Sequence, residues 1–144
     1  MANITTIGLQ ELGVSLERLN KNTKKKAMEE LAKSANTMRN TIIRAMQQTT
    51  KASWFYVRGR KKHFPSLPGH APAIDSGQLL KSIDFEKRTQ EVEVGSLRGG
   101  GTNYAEYLEE GTKKMEARPF LDPSLQKVLP SITTNIMQAI LGDI

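Results

Sequence analysis

The chain has 144 residues, which sets an expectation of one domain over 1–144, long enough to bury a core without disulfides or a metal. It has no cysteine, which excludes a disulfide framework and a thiol nucleophile, and its apolar runs are far short of the roughly 20 residues needed to span a bilayer. The formal charge of +6 is uneven, because residues 1–75 carry 13 Lys/Arg against 5 Asp/Glu (net +8) and residues 76–144 carry 8 against 10 (net −2).

Met1 to Thr5 lacks a basic stretch followed by an apolar one, so no signal peptide is expected. Ile4 to Leu12 alternates weakly around Gly8 and reads as a short edge strand or an extended arm. Ser15 or Asn20 is placed to cap a helix. Met28, Leu31, Ala35, Met38, Ile42 and Ala45 then recur at spacings of 3, 4, 3, 4 and 3, a single apolar stripe. Neither Pro nor Gly interrupts the chain from Ser15 to Arg58, so one long amphipathic helix ending near Gln48 is predicted. The stripe is short and rich in Ala and Met, which favours packing on a sheet over a coiled coil.

The stretch from Lys51 to Asp75 differs in character. It opens on Trp54-Phe55-Tyr56, continues with Arg58, Arg60, Lys61, Lys62 and His63, and closes with Pro65, Pro68, Gly69 and Pro72. The three prolines exclude a regular helix there, so a long basic, Pro-rich loop over about 51–75 is expected. Asp75 or Ser76 next reads as the N-cap of a short helical turn over Gly77 to Ser82. Ile83 and Phe85, and then Val92 and Val94, alternate with acidic residues on either side of Lys87 to Gln90, the pattern of a β-hairpin with one buried face. Gly99-Gly100-Gly101 is a flexible connection. Tyr104 to Leu108 is read as a helical turn ended by Gly111. Arg118 is held extended by Pro119, and Asp122-Pro123 reads as a cap followed by a first-turn proline. Leu125, Val128, Leu129, Ile132, Ile136 and Ile140 form the apolar face of a C-terminal helix that Pro130 would kink or divide. The fold class expected from these elements is α+β, with a small, mostly antiparallel sheet packed against a long N-terminal helix and a C-terminal helix.

Chemistry-bearing patterns are sparse. His63 and His70 have no recognised metal-ligand spacing. Glu91 and Glu93 share the solvent side of their strand, so a solvated face explains them better than acid–base work. The serines lack a nucleophile elbow, Gly99-Gly100-Gly101 lacks the Lys-Ser/Thr of a phosphate cradle, and Arg98 reads as a loop residue. No catalytic residue, metal site or cofactor is therefore expected. Arg58, Arg60, Lys61 and Lys62 are the exception, four cations within five residues beside three aromatics. Cations so placed can neutralise phosphates without reading sequence. The aromatics read as core or interface anchors rather than as a platform for stacking bases. The uneven charge fits nucleic acid nearby, a head-to-tail contact between copies, or a basic helix that is simply solvated.

Two segments carry a more specific pattern. The first is Ala71-Pro72-Ala73-Ile74-Asp75-Ser76-Gly77-Gln78-Leu79-Leu80-Lys81-Ser82-Ile83. The second runs from Asn103-Tyr104-Ala105-Glu106-Tyr107-Leu108-Glu109-Glu110-Gly111-Thr112 to Ala117-Arg118-Pro119-Phe120-Leu121-Asp122-Pro123-Ser124-Leu125. Together, and in this order, they resemble the HK97 gene-product-ten-like family of tailed-bacteriophage tail-component, or neck, proteins. Ser124 stands where that family usually has alanine, Asp122 where a basic residue is common, and the loop from Lys51 to Phe64 matches nothing in the pattern. Gly77, Leu80, Ser82, Tyr104, Glu109, Gly111, Thr112, Arg118, Pro119, Phe120 and Pro123 are the motif residues, and structural work is expected of them. In particular, Gly111 should end a helix in a left-handed conformation, a carboxylate such as Glu109 is expected to pair with Arg118 either within the subunit or across to a neighbour, and Phe120 and Leu121 should anchor the last helix.

The resemblance implies a virion protein of the head–tail junction, made in the host cytoplasm and arranged as a homo-oligomeric ring around the DNA channel. Its implied partners are head-side connector or head-closure proteins and tail-tube or tail-terminator proteins, with non-specific contact to genomic DNA through the basic loop and no membrane. The alternative expectation is a free-standing basic nucleic-acid-binding protein.

Overall fold

The computed structural model describes residues 21–98 and 102–142. The expected N-terminal strand or arm, the caps at Ser15 or Asn20 and the glycine connection lie outside the described residues. In chain order the elements are α1 (Lys21–Gln47), β1 (Tyr56–Arg58), β2 (Lys61–His63), α2 (Gln78–Ser82), β3 (Ile83–Lys87), β4 (Val92–Ser96), α3 (Thr102–Glu110) and α4 (Leu121–Leu141). The class is α+β.

Helix α1 follows the apolar stripe. Met28, Leu31, Ala35, Met38 and Ile42 are buried, and Ala27 and Met46 join them in place of Ala45, which is half-buried. Against this stripe lie α4, through Leu125, Val128, Ile132 and Ile136, and the buried face of the β3–β4 hairpin, through Ile83, Val92 and Val94. Leu129, expected on the buried face of α4, is instead exposed. It stands one helical turn beyond Leu125, at the edge of the buried face, where it is 38% exposed. Pro130 is inside α4 and does not divide it.

The expected single sheet is in fact two separate antiparallel ribbons, β1–β2 and β3–β4. In β3–β4 the register pairs Ile83 with Ser96 and Phe85 with Val94, so the apolar side chains share one face. Arg88 sits at the turn and reaches Glu91 at 3.2 Å and Glu93 at 3.0 Å, which leaves these acids on the wet side of the hairpin. Arg98, read as a loop residue, is paired with Asp84, whose carboxylate also lies 3.6 Å from Arg39 of α1.

The loop over 51–75 contains the second ribbon. Lys51 bridges to Ser66, the Ala52 N–H donates to the Pro65 carbonyl at 2.7 Å, and β1 pairs with β2 further out. Gly59 and Arg60 make the two-residue turn, with Gly59 at φ +63° and Arg60 outside the positive-φ region. A glycine at the first central position of a two-residue hairpin turn supplies the backbone twist the strands need.

Candidate functional site

The two motif segments meet where α2, α3 and the start of α4 converge. Gly77 adopts φ +81° immediately before α2, so it occupies the cap position expected of Asp75 or Ser76. The Ser76 hydroxyl still accepts from the Gln78 N–H, at 3.4 Å. At the other end of α2, Ser82 is a junction. Its hydroxyl donates to the Leu79 carbonyl at 2.6 Å and shares a hydrogen bond with the Ser96 hydroxyl at 2.7 Å. Its carbonyl accepts from the N–H groups of Leu97 and Arg98. Leu80 packs on the edge of the core.

Helix α3 ends at Glu110, and Gly111 follows at φ +78°, where its N–H donates to the Tyr107 carbonyl at 2.9 Å. A Cβ at Gly111 would stand 2.9 Å from the Ala117 nitrogen and 3.1 Å from the Met115 carbonyl oxygen, so only glycine fits. Thr112 and Met115 exchange backbone hydrogen bonds across a tight turn, and the Thr112 side chain accepts from the Lys114 N–H at 3.2 Å. That turn sends the chain back past α3, where the Arg118 N–H donates to the Leu108 carbonyl.

Glu109 is the centre of this corner. It is 8% exposed, and its carboxylate accepts from the backbone N–H groups of Phe120 (2.8 Å), Leu121 (3.0 Å) and Asp122 (2.9 Å). The first backbone N–H groups of a helix have no partner within the helix, and its N-terminus carries partial positive charge. Glu109 satisfies three of these donors with a full negative charge, and Pro123, next in line, has no N–H to satisfy. This corrects the expectation of Asp122 as cap, because α4 begins at Leu121 and is capped from α3. It also corrects the expected Glu109–Arg118 ion pair within the subunit. Arg118 turns the other way and donates from Nε to the Ser66 carbonyl at 3.2 Å, which ties the corner to the base of the basic hairpin. Pro119 is half-buried, and Phe120 is 1% exposed and anchors the start of α4.

The hairpin β1–β2 has two unlike faces. Its register puts Tyr56 and Arg58 opposite His63 and Lys61, so these four share one face, and Val57 with Lys62 lies on the other. The first face is clasped by Asp75, whose carboxylate is 2.6 Å from Arg58 and 3.5 Å from the His63 imidazole. This attachment raises the Arg58 pKa, chiefly through its hydrogen bond to Asp75. Burial, more than the nearby Asp75 charge, pushes the Tyr56 phenol up. A cleft of about 230 Å³ lies beneath, with Arg58, His63, Asp75, Leu80 and Tyr104 among its walls.

On the outer face Phe55 packs against Phe64, with centroids 5.5 Å apart, and the Lys62 ammonium sits 4.4 Å over the Phe55 ring. Trp54 (59%), Phe55 (42%), Val57 (64%) and Phe64 (40%) are all exposed. The aromatics are therefore not anchors in this chain's own core. The four cations also do not act as one group. Arg58 is paired, Lys62 lies on a ring, and Arg60 and Lys61 stand exposed at the tip.

Sequence reasoning missed the capping role of Glu109, the clasp at Asp75 and the apolar outer face. The Gly59-Arg60 pair between alternating residues was the available signal for the ribbon. Among the described residues, no group of three His, Asp or Glu side chains is placed to hold a metal ion, and no helix is long and apolar enough to cross a membrane. Comparisons with protein-family models, curated proteins and solved structures returned no match to this chain.

Proposed function

We propose that this chain is a structural virion protein of the bacteriophage head–tail junction, a neck or tail-completion subunit that forms a ring joining the head connector to the tail around the DNA channel. The observation that carries the reading is the corner built around Glu109. Most of the residues that carry the family resemblance gather there or at Ser82, and each satisfies a backbone group, turns the chain or fills the core. Such a corner holds a subunit rigid rather than transforming a substrate.

The ring would dock between head-side connector or head-closure proteins and tail-tube or tail-terminator proteins. Arg60 and Lys61 at the hairpin tip, with Arg58 and Lys62 beside them, are the cations for an acidic partner or for genomic DNA in the channel, held without sequence preference. Electron microscopy of the assembled protein tests the reading: a closed ring is expected, and a population of monomers alone at all concentrations would end it. Neutralising Arg58, Arg60, Lys61 and Lys62 together should reduce salt-sensitive DNA retention or virion assembly, and normal particles with normal retention would remove the loop from that role.

The exposed basic tip also favours a second reading, a free-standing nucleic-acid-binding protein. That reading requires the isolated monomer to bind duplex DNA with an affinity that falls steeply with salt.

A further inference from the structure

The outer face of the β1–β2 hairpin has the make-up of a protein-docking surface. Phe55, Val57 and Phe64 are large, apolar and 40% or more exposed beside Lys62 on one short ribbon. Apolar surface gathered in this way, rimmed by charge, marks an interaction site more often than ordinary surface. Duplex DNA offers phosphates on its outside, and the cations that would meet them are partly committed, Arg58 to Asp75 and Lys62 to the Phe55 ring. An aromatic pair under a lysine fits a partner that presents both apolar area and negative charge.

The chain carries such a surface itself. Helix α3 has no Lys or Arg, and its charges are Glu106, Glu109 and Glu110. Glu109 is buried under α4, which leaves Glu106 and Glu110 exposed, one helical turn apart. Tyr107, 53% exposed, lies beside Glu110. At about 100° per residue, Glu106, Glu110 and Tyr107 follow one another around the exposed side of α3, and Tyr104, which lines the cleft under the hairpin, lies beyond Tyr107. The acidic flank therefore points away from the chain's own hairpin and is open to another molecule.

We propose that the outer face of the hairpin, through Phe55, Val57, Lys62 and Phe64, docks on the Glu106–Tyr107–Glu110 flank of α3 in a second copy of this chain. The contact joins two different patches. It is heterologous, and repeated contacts of that kind close into a ring when the rotation allows. Opposite charges set the register, with Lys62 of the outer face and Lys61 at the exposed tip against Glu106 and Glu110, and the aromatic and tyrosyl surfaces supply the buried area. The inference rests on the ring reading and specifies the surfaces that make the ring.

The absence of native cysteine permits a direct test. Val57→Cys and Tyr107→Cys are made as separate full-length proteins, mixed and oxidised. Disulfide-linked dimers are expected from the mixture and from neither variant alone, and the double variant V57C/Y107C should give a ladder of higher oligomers. Dimers from V57C alone would mean hairpin-to-hairpin contact and overturn the proposal. A wild type that assembles while the mixture yields no cross-link would overturn it and leave the ring standing. A wild type that sediments only as a monomer would remove both.

Charge reversal gives an independent measurement. Lys61→Glu with Lys62→Glu, or Glu106→Lys with Glu110→Lys, should each raise the concentration for half-assembly by about tenfold or more. All four changes in one chain should recover most of that loss. Unchanged assembly in both double variants, together with loss of salt-sensitive duplex binding by the hairpin variant, would assign the hairpin to nucleic acid instead.

Discussion

Glu109 shows how one side chain can decide the direction of a whole helix. Its carboxylate gathers three N–H groups that would otherwise be buried without partners at the start of α4. Glu109→Ala should therefore cost about 2–4 kcal/mol, more than an ordinary exposed cap, because buried unsatisfied donors bear their full desolvation penalty. Thermal denaturation by circular dichroism should show a melting temperature lower by about 5–12 °C. Glu109→Gln keeps one acceptor oxygen and should fall between the two. Gly111 is constrained twice, by its left-handed backbone and by the close approach of Ala117 and Met115. Gly111→Ala should cost about 2–3 kcal/mol in urea unfolding, and a loss below 0.5 kcal/mol would mean that the turn relaxes freely.

At the scale of elements, the β1–β2 hairpin is a ribbon with little core of its own. A two-stranded ribbon is at best marginally stable in water, so its attachment matters. Asp75 provides that attachment through Arg58 and His63, both on the inner face. Asp75→Asn should leave the global melting temperature nearly unchanged, because exposed ion pairs contribute little to global stability. Hydrogen exchange of the amides over 56–63 should nevertheless become faster, since local opening is governed by local contacts. Equal exchange in both proteins would show that the ribbon is held by its stem at Lys51 and Ser66 alone. Helix α4 carries a different tension. Pro130 removes one backbone hydrogen bond from the middle of the helix, yet the helix continues because its buried face packs along α1. Pro130→Ala should restore that bond at an exposed position and stabilise the fold by about 1–2 kcal/mol, read as a higher urea midpoint.

At the scale of the molecule, one core cluster connects α1, both strands of the β3–β4 ribbon, α2, α3 and α4. Ile42 is completely buried in it. Ile42→Ala should cost about 2–5 kcal/mol by transfer and cavity terms and should unfold α1, the ribbon and α4 together in one transition. What this core leaves outside is equally informative. The hairpin is exposed on its apolar face, and α3 is acidic on its flank, so the chain presents two unlike surfaces to its surroundings. These are the two surfaces that the proposed contact between copies would join.

The sequence by itself determined the elements whose signals are local. The stripe of α1 from Met28 to Ile42, the alternation of β3 and β4, the termination at Gly111 and the stop imposed by Pro119 all follow from spacing and backbone sterics within a few residues. Its reading of Lys51–Asp75 as loop missed the β1–β2 ribbon because strands of only three residues, Tyr-Val-Arg and Lys-Lys-His, are too short to show an alternating pattern, and the Gly59-Arg60 turn was the one local cue. Only the tertiary structure decided what depends on distance along the chain. Glu109 caps a helix that begins 12 residues later, Asp75 holds Arg58 17 residues back, and Arg118 reaches Ser66 52 residues away. The physical reason is that a carboxylate or a guanidinium has several possible partners of equal chemistry. Packing of the core chooses among them by fixing which groups are brought within hydrogen-bonding reach.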